Sequence, residues 1–164
     1  MIFGMSTFTF VHVVLSLIGI VAGLVVMVGL LTARKFGGWT ALFLASTLAT
    51  CVTGFGFPFT QILPSHVVAI LGLVVLAIAS VARYGFKLLG AWRWLYVIAA
   101  MTALYFNVFV LVAQLFAKLP ALHMLAPTQS EPPFLITQLV VLLLFLVLGA
   151  EAVVKFRIKS RFSA

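Results

Sequence analysis

The fold is decided by residues 8–32, which read FTFVHVVLSLIGIVAGLVVMVGLLT and contain no Asp, Glu, Lys or Arg. A helix of about 17–25 apolar residues crosses the roughly 30 Å of hydrocarbon in a bilayer. The remaining sequence has the same character, because 65% of the 164 residues are hydrophobic and only 7% are charged. Soluble domains average about 45–50% apolar and about 25% charged residues. The composition therefore predicts an integral membrane protein and excludes a soluble enzyme, a disordered chain and a disulfide scaffold.

Five segments are long and apolar enough to cross a bilayer as helices, which satisfy their own backbone hydrogen bonds. They lie near residues 8–32, 39–58, 65–84, 93–117 and 134–155. The second is the shortest and most polar, so a four-helix alternative, with residues 39–58 re-entrant, stays open. We expect an all-α bundle of five transmembrane helices that forms a single transmembrane domain over residues 1–164.

The basic side chains favour five helices. Nine of the ten Lys and Arg residues would lie on one side: Arg34, Lys35, Arg83, Lys87, Arg93, Lys155, Arg157, Lys159 and Arg161. Lys118 alone would lie on the other. By the positive-inside rule, the amino terminus is expected outside and the carboxyl terminus in the cytoplasm. The net charge of +8 is thus a topology signal, and we expect a lipid bilayer and no nucleic acid as partner.

Three histidines and one carboxylate would lie toward the outer side: His12, His66, His123 and Glu131. If the helices bring them together, they form a candidate metal site for zinc, copper or iron. Two of the histidines would instead suit the axial positions of a haem. The cofactor stays open between a haem and a transition metal. No metal-binding spacing motif is present, and the alternative is a structural role, with Glu131 at a helix start.

The fourth segment carries Tyr105, Asn107 and Gln114, and the two amides lie seven residues apart on one helical face. With His12 and His66, these three residues are candidates for a cofactor site, such as a quinone headgroup pocket. The alternative is interhelical hydrogen bonding with Ser46, Thr50 or Thr53 of the second segment, which fall along one stripe, because an amide in lipid needs a partner. Gly19 and Gly23 form a small-xxx-small pattern in the first segment. It predicts close helix packing, either within the chain or in a dimer.

Four stretches resemble a group of small, uncharacterised bacterial inner-membrane proteins. They are residues 54–59 (GFGFPF), 63–66 (LPSH), 103–110 (ALYFNVFV) and 125–134 (LAPTQSEPPF). The resemblance covers most of the chain and implies a multi-pass protein of the bacterial inner membrane, but it carries no activity.

Three function classes remain open. The first is a non-catalytic accessory or assembly subunit, or a self-associating scaffold, with other membrane proteins or its own copies as partners. The second is an outer-face histidine site for a metal, haem or quinone. The third is a small oligomeric channel or transporter. No nucleophile–base–orienter set is visible, so the sequence favours a protein that is not an enzyme.

Overall fold

A computed structural model describes residues 6–57 and 64–158, and these residues are helical apart from short turns, with no strand among them. The helices are α1 (Thr7–Leu31), α2 (Gly37–Gly54), α3 (Pro64–Ser80), α4 (Trp92–Lys118), α5 (Pro120–Leu125) and α6 (Pro132–Ile158). A π-helical turn, Val81–Gly85, continues α3. The all-α prediction is confirmed, and four of the five predicted segments match a helix to within about three residues.

The second predicted segment is the one that differs. We expected it to reach residue 58, but α2 ends at Gly54, and Pro58 itself lies outside the described residues. The helix ends because the N–H groups of Phe55 and Gly56 turn back to the carbonyls of Val52 and Thr53. Helix α5 was not predicted; its six residues follow Pro120, which fits the first turn of a helix.

Within residues 6–57 and 64–158, four helical segments are long and apolar enough to cross a membrane: Thr7–Leu31, His66–Gly85, Trp92–Lys118 and Pro132–Phe156. The chain is therefore suited to a multi-pass membrane protein. Helix α2 is not among the four, although it has 18 residues. Its threonines and serine lower its hydropathy, as the weakness of this segment in the sequence suggested.

The helices form a closed ring in which α1 contacts α2, α2 contacts α3, α3 contacts α4, α4 contacts α6, and α6 contacts α1. Helix α4 also contacts α1 across the ring, so α4 is the central helix. The interior is filled by Phe43, Tyr96 and Leu104, which are each at most 1% exposed. Dense packing of this kind holds the helices at fixed distances.

Helices α1 and α2 form an antiparallel hairpin. His12 lies against Thr53 near one end of the pair, and Gly29 lies against Phe36 at the other end. Gly23 is central, because a Cβ added there would lie only 2.5 Å from Leu104 of α4 and 2.9 Å from Phe43 of α2. The small-xxx-small pattern is thus used within the chain, to let three helices approach closely.

Candidate functional site

The candidate site is the face that α2 turns toward α1 and α4. Thr40 and Thr47 are seven residues apart and share one side of the helix, and Thr53, six residues further on, lies about 120° around it and meets α1. Thr40 and Thr47 are buried and Thr53 is half-buried. Each hydroxyl meets a polar side chain of another helix, at three successive levels of the bundle. We call this row the α2 polar face.

At the first level, His12 Nδ1 lies 2.8 Å from Thr53 Oγ1. The Thr53 hydroxyl also donates to the Ala49 carbonyl at 2.7 Å, an arrangement that suits the His12 tautomer with its proton on Nδ1. The His12 ring also meets Phe57 edge-on, with ring centroids 5.0 Å apart. In this tautomer Nε2 carries the lone pair, and it is the atom that a metal or haem iron would use.

His66 lies against the same end of α2. It is 6% exposed, and its ring stacks on Phe55 with centroids 5.7 Å apart and an interplanar angle of 22°. His12 and His66 therefore both contact the segment Thr53–Phe57. Gly56 in this segment leaves room for Phe8 of α1, because a Cβ added at Gly56 would lie 2.6 Å from the Phe8 ring.

The other two predicted metal ligands lie elsewhere. His123 is exposed on α5. The Glu131 carboxylate accepts hydrogen bonds from the Thr128 backbone N–H at 3.1 Å, the Thr128 hydroxyl at 2.9 Å and the Ser130 N–H at 3.1 Å. Desolvation opposes ionisation, but these hydrogen bonds together outweigh it and hold the pKa of Glu131 below its ordinary value.

The predicted set of three histidines and one carboxylate is therefore not assembled. Among residues 6–57 and 64–158, no group of three or more His, Cys, Asp or Glu side chains is placed to hold a metal ion. The physical reason is that each side chain is held by a separate local contact: His12 by Thr53, His66 by Phe55, and Glu131 by its own turn.

At the second level, Asn107 of α4 donates from Nδ2 to Thr47 Oγ1 at 2.9 Å. Gly19 of α1 makes room for this pair, since a Cβ there would lie 3.1 Å from Thr47 Oγ1 and 3.5 Å from Asn107 Nδ2. Ser46 Oγ donates to the Leu42 carbonyl of its own helix at 2.6 Å. The expected hydrogen bond between an amide of α4 and a hydroxyl of α2 is present, but the hydroxyl belongs to Thr47 rather than to Ser46, Thr50 or Thr53.

The remaining predicted cofactor residues do not join this face. Gln114 is exposed, although it shares a helical side with Asn107. Tyr105 is half-buried in an aromatic group on the α6 side of α4, with Phe109 and Phe145 at centroid distances of 6.1 and 5.7 Å. The five candidates thus lie in several separate environments rather than in one pocket: His12, His66, Tyr105, Asn107 and Gln114.

Sequence reasoning missed Gln138 of α6. Its Nε2 donates to the Phe109 carbonyl of α4 at 3.1 Å, while its Oε1 is buried without a hydrogen-bond partner in the described part of the chain. The signal was present, because Gln138 is the single amide within the apolar stretch 134–155. A buried amide in such a stretch predicts an interhelical hydrogen bond.

Sequence reasoning also missed the third level, at the other end of the bundle. The Tyr96 hydroxyl donates to Thr40 Oγ1 at 3.4 Å. The Arg83 guanidinium lies over two rings, 5.6 Å from the centroid of Tyr96 and 5.8 Å from that of Tyr84. These are cation–π distances. The two contacts hold Arg83, which belongs to the π-helical turn, near the beginning of α2.

In comparisons with known proteins, no protein-family model, curated protein or solved structure matches the chain. What the α2 polar face does chemically is to hold three helices together through hydrogen bonds. His12 and Asn107 are components of that framework.

Proposed function

We propose that the chain is a non-catalytic accessory or assembly subunit of a bacterial inner membrane. It has five transmembrane helices, with the amino terminus outside and the carboxyl terminus in the cytoplasm. The observation that carries the proposal is the pairing of polar side chains inside the bundle: His12 with Thr53, Asn107 with Thr47, and Tyr96 with Thr40. Polar groups that bind neighbouring helices stabilise a framework, and the outer apolar surface then meets lipid or other membrane proteins.

The antiparallel hairpin supports five spans rather than four. Helix α2 has 18 residues, so it is about 27 Å long at a rise of about 1.5 Å per residue. Its two ends lie beside His12 and Gly29, at opposite ends of the apolar stretch of α1. A re-entrant segment returns to the side from which it came, whereas α2 runs the length of a spanning helix. Its polar side chains point to other helices of the same chain and away from lipid, so its modest hydropathy is no obstacle to membrane insertion.

The charge distribution supports the orientation. With five spans, Arg34, Lys35, Lys87 and Arg93 lie on the same side as the basic tail, and Lys118 lies opposite. The positive-inside rule then places the amino terminus outside. Four spans would put the first connection and the tail on opposite sides and would remove the asymmetry.

Helix α6 supports the role of a subunit. Only 11% of an 18-residue apolar stretch of α6 is buried, against 39% of the corresponding stretches of α1 and α4. It rests on the bundle through one row of side chains, Phe134, Gln138, Phe145, Ala152 and Phe156. The rest of the helix is a broad apolar face that is suited to another transmembrane helix, from a larger partner or from a second copy of this chain.

Photo-crosslinking in native membranes tests the subunit role. Benzoylphenylalanine is introduced at Val140 or Leu144 of α6, which are 59% and 53% exposed. Ile70 and Val74 of α3, which are 50% and 53% exposed, are matched controls. We expect a discrete protein adduct from the α6 positions and only lipid adducts from the α3 positions. Lipid adducts alone from both helices would overturn the proposed role.

Cysteine labelling tests the number of spans separately. With Cys51 replaced by Ala, single cysteines replace Lys35, which precedes α2, and Gln61, which follows it in the sequence. Five spans predict that a membrane-impermeant maleimide labels intact cells at position 61 and not at position 35. Labelling of both positions from the same side would mean that α2 does not cross.

A further inference from the structure

An apolar groove runs along the outside of the bundle between α2 and α3. It is lined by Ala41, Ala45 and Leu48 of α2 and by Leu73, Ala77 and Tyr84 of α3 and its π-helical turn. Its volume of about 450 Å³ falls within the roughly 300–1,000 Å³ of ligand sites. The groove exists because alanines stand where larger residues would close the space between the two helices.

Three cations gather near the Tyr84 end of this groove. Arg34, Lys35 and Arg83 line one small depression of about 10 Å³, which holds about one water-sized atom. The Arg83 guanidinium reaches the beginning of α2, since a Cβ added at Gly37 would lie 3.8 Å from its Nη2. It also lies over the ring of Tyr84, which lines the groove. The depression and the groove share no lining residue, and the contact between Arg83 and Tyr84 is what joins the cations to this end of the groove.

These cations have no carboxylate to neutralise them. The sequence contains only two acidic side chains, Glu131 and Glu151. Glu151 pairs with Lys155 at 2.9 Å, and Glu131 is held by Thr128 in the turn before α6. Helix α2 adds to the positive potential, because it begins without a side-chain cap and without an acidic residue in its first turn.

The backbone of the π-helical turn Val81–Gly85 positions Arg83 and Tyr84. The Phe86 N–H bonds to the Val81 carbonyl at 3.0 Å, which is the i→i+5 pattern of a π-turn. Widened turns of this kind are frequent at functional sites. Here the turn directs Arg83 toward the ring of Tyr96 while Tyr84 lines the groove.

We propose that this surface binds one anionic glycerophospholipid, with its phosphate beside Arg34, Lys35 and Arg83 and an acyl chain in the groove between α2 and α3. The depression accepts a single phosphate oxygen, and the remainder of the headgroup lies at the membrane surface. Charge complementarity selects a phospholipid over an apolar partner helix, because the lipid joins an anion to a hydrocarbon chain, as the neighbouring Arg83 and Tyr84 join the cations to the groove. Basic pockets between transmembrane helices are known to bind anionic headgroups. The inference goes beyond the accessory role and depends only on the chain residing in a bilayer.

Native mass spectrometry of the full chain in detergent tests the headgroup site. The probes are dioleoyl-phosphatidylglycerol and dioleoyl-phosphatidylcholine, with inorganic phosphate and glycerol phosphate as competitors. We expect phosphatidylglycerol to be retained preferentially, and its affinity to fall about fivefold for each cation removed. Arg83→Gln and the double variant Arg34→Gln/Lys35→Gln test the cations. Arg93→Gln is the matched control, since Arg93 does not line the depression.

The double variant keeps the test valid if Arg83→Gln fails to fold, because Arg34 and Lys35 are exposed. A loss per cation in Arg93→Gln as large as that in the double variant would show general attraction to basic charge and overturn the site. Binding of inorganic phosphate without preferential retention of phosphatidylglycerol would mean a phosphate site without a lipid, and would also overturn the proposal.

Two variants test the groove. Ala45→Phe fills it from α2, and we expect weaker retention of dioleoyl-phosphatidylglycerol with unchanged helicity; unchanged retention would contradict the acyl-chain position. Benzoylphenylalanine at Leu48, in nanodiscs containing phosphatidylglycerol, is expected to yield an adduct with the mass of that lipid. A crosslinked second copy would show that the groove holds a helix instead.

Discussion

Gly23 supports the closest approach of three helices, and we predict that Gly23→Ala lowers the free energy of unfolding by about 1–2 kcal/mol. A Cβ at this position would lie 2.5 Å from Leu104 Cδ1 and 2.9 Å from Phe43 Cε2. Carbon atoms prefer separations of about 3.5–4.0 Å. One methyl group would therefore collide with two side chains from two different helices.

The magnitude follows from how little these neighbours can move. Phe43 is 0% exposed and Leu104 is 1% exposed, so neither has free space to enter. Overpacking of a core costs about 1–3 kcal/mol, and two enclosed neighbours place this site in the upper half of that range. Alanine regains about 1 kcal/mol relative to glycine within a helix. The difference is a net destabilisation.

The assay is unfolding of the detergent-solubilised chain by increasing mole fractions of dodecyl sulfate, followed by far-ultraviolet circular dichroism. Gly149→Ala in α6 is the matched control, because the nearest atom to its added Cβ would be Met101 Cβ at 4.0 Å. We expect Gly149→Ala to be as stable as the unmodified chain or more so. If Gly23→Ala were equally stable, the close packing of α1, α2 and α4 described above would be wrong.

Three further predictions concern polar contacts. A double-mutant cycle with Asn107→Leu and Thr47→Val should give a coupling of about 0.6 kcal/mol by the same unfolding assay, as for other transmembrane hydrogen bonds, and zero coupling would mean that the 2.9 Å contact contributes nothing. His12→Ala should destabilise the chain by about 1 kcal/mol, and adding Thr53→Val should cost little more, since one hydrogen bond joins the two residues; additive losses would disprove the pairing. Because hydrogen bonds favour ionised Glu131, its stabilisation of the turn is present above the ordinary carboxyl pKa of 4.5 and is lost as the pH falls through its lower folded value. A carboxyl titration followed by carbon NMR should show a midpoint below 4.5, and a midpoint at or above 4.5 would contradict the hydrogen bonds.

Much of the fold could be predicted because lipid imposes strong constraints on an apolar chain. The boundaries of α1, α4 and α6 followed from the lengths of predominantly apolar runs, since a spanning segment must be both helical and about 20 residues long. The end of α2 was placed too far along, because Phe55 and Phe57 continue the apolar pattern after the helix has ended. Hydropathy measures composition and carries no information on where backbone hydrogen bonds turn back.

The candidate site was harder to predict because proximity in a bundle depends on which helices are neighbours. Asn107 and the hydroxyls of α2 were correctly associated, since a buried amide needs a partner and α2 is rich in hydroxyls. The three histidines were grouped only by their expected side of the membrane, which leaves their lateral positions undefined. Arg83 was read as one of several topology charges, and nothing in the sequence linked it to Tyr96, 13 positions further along.

Helix α2 connects the two proposals. Its polar face binds α1 and α4, and its opposite side borders the groove shared with α3. The residues that make α2 a poor transmembrane segment by composition are therefore those that fix it in the bundle, and its small alanines are those that keep the groove open. A substitution that raised its hydropathy, such as Thr47→Leu, would remove the partner of Asn107 and crowd Gly19. The more apolar helix would then be the less stable one, because a span is stabilised by its contacts as well as by its transfer into lipid.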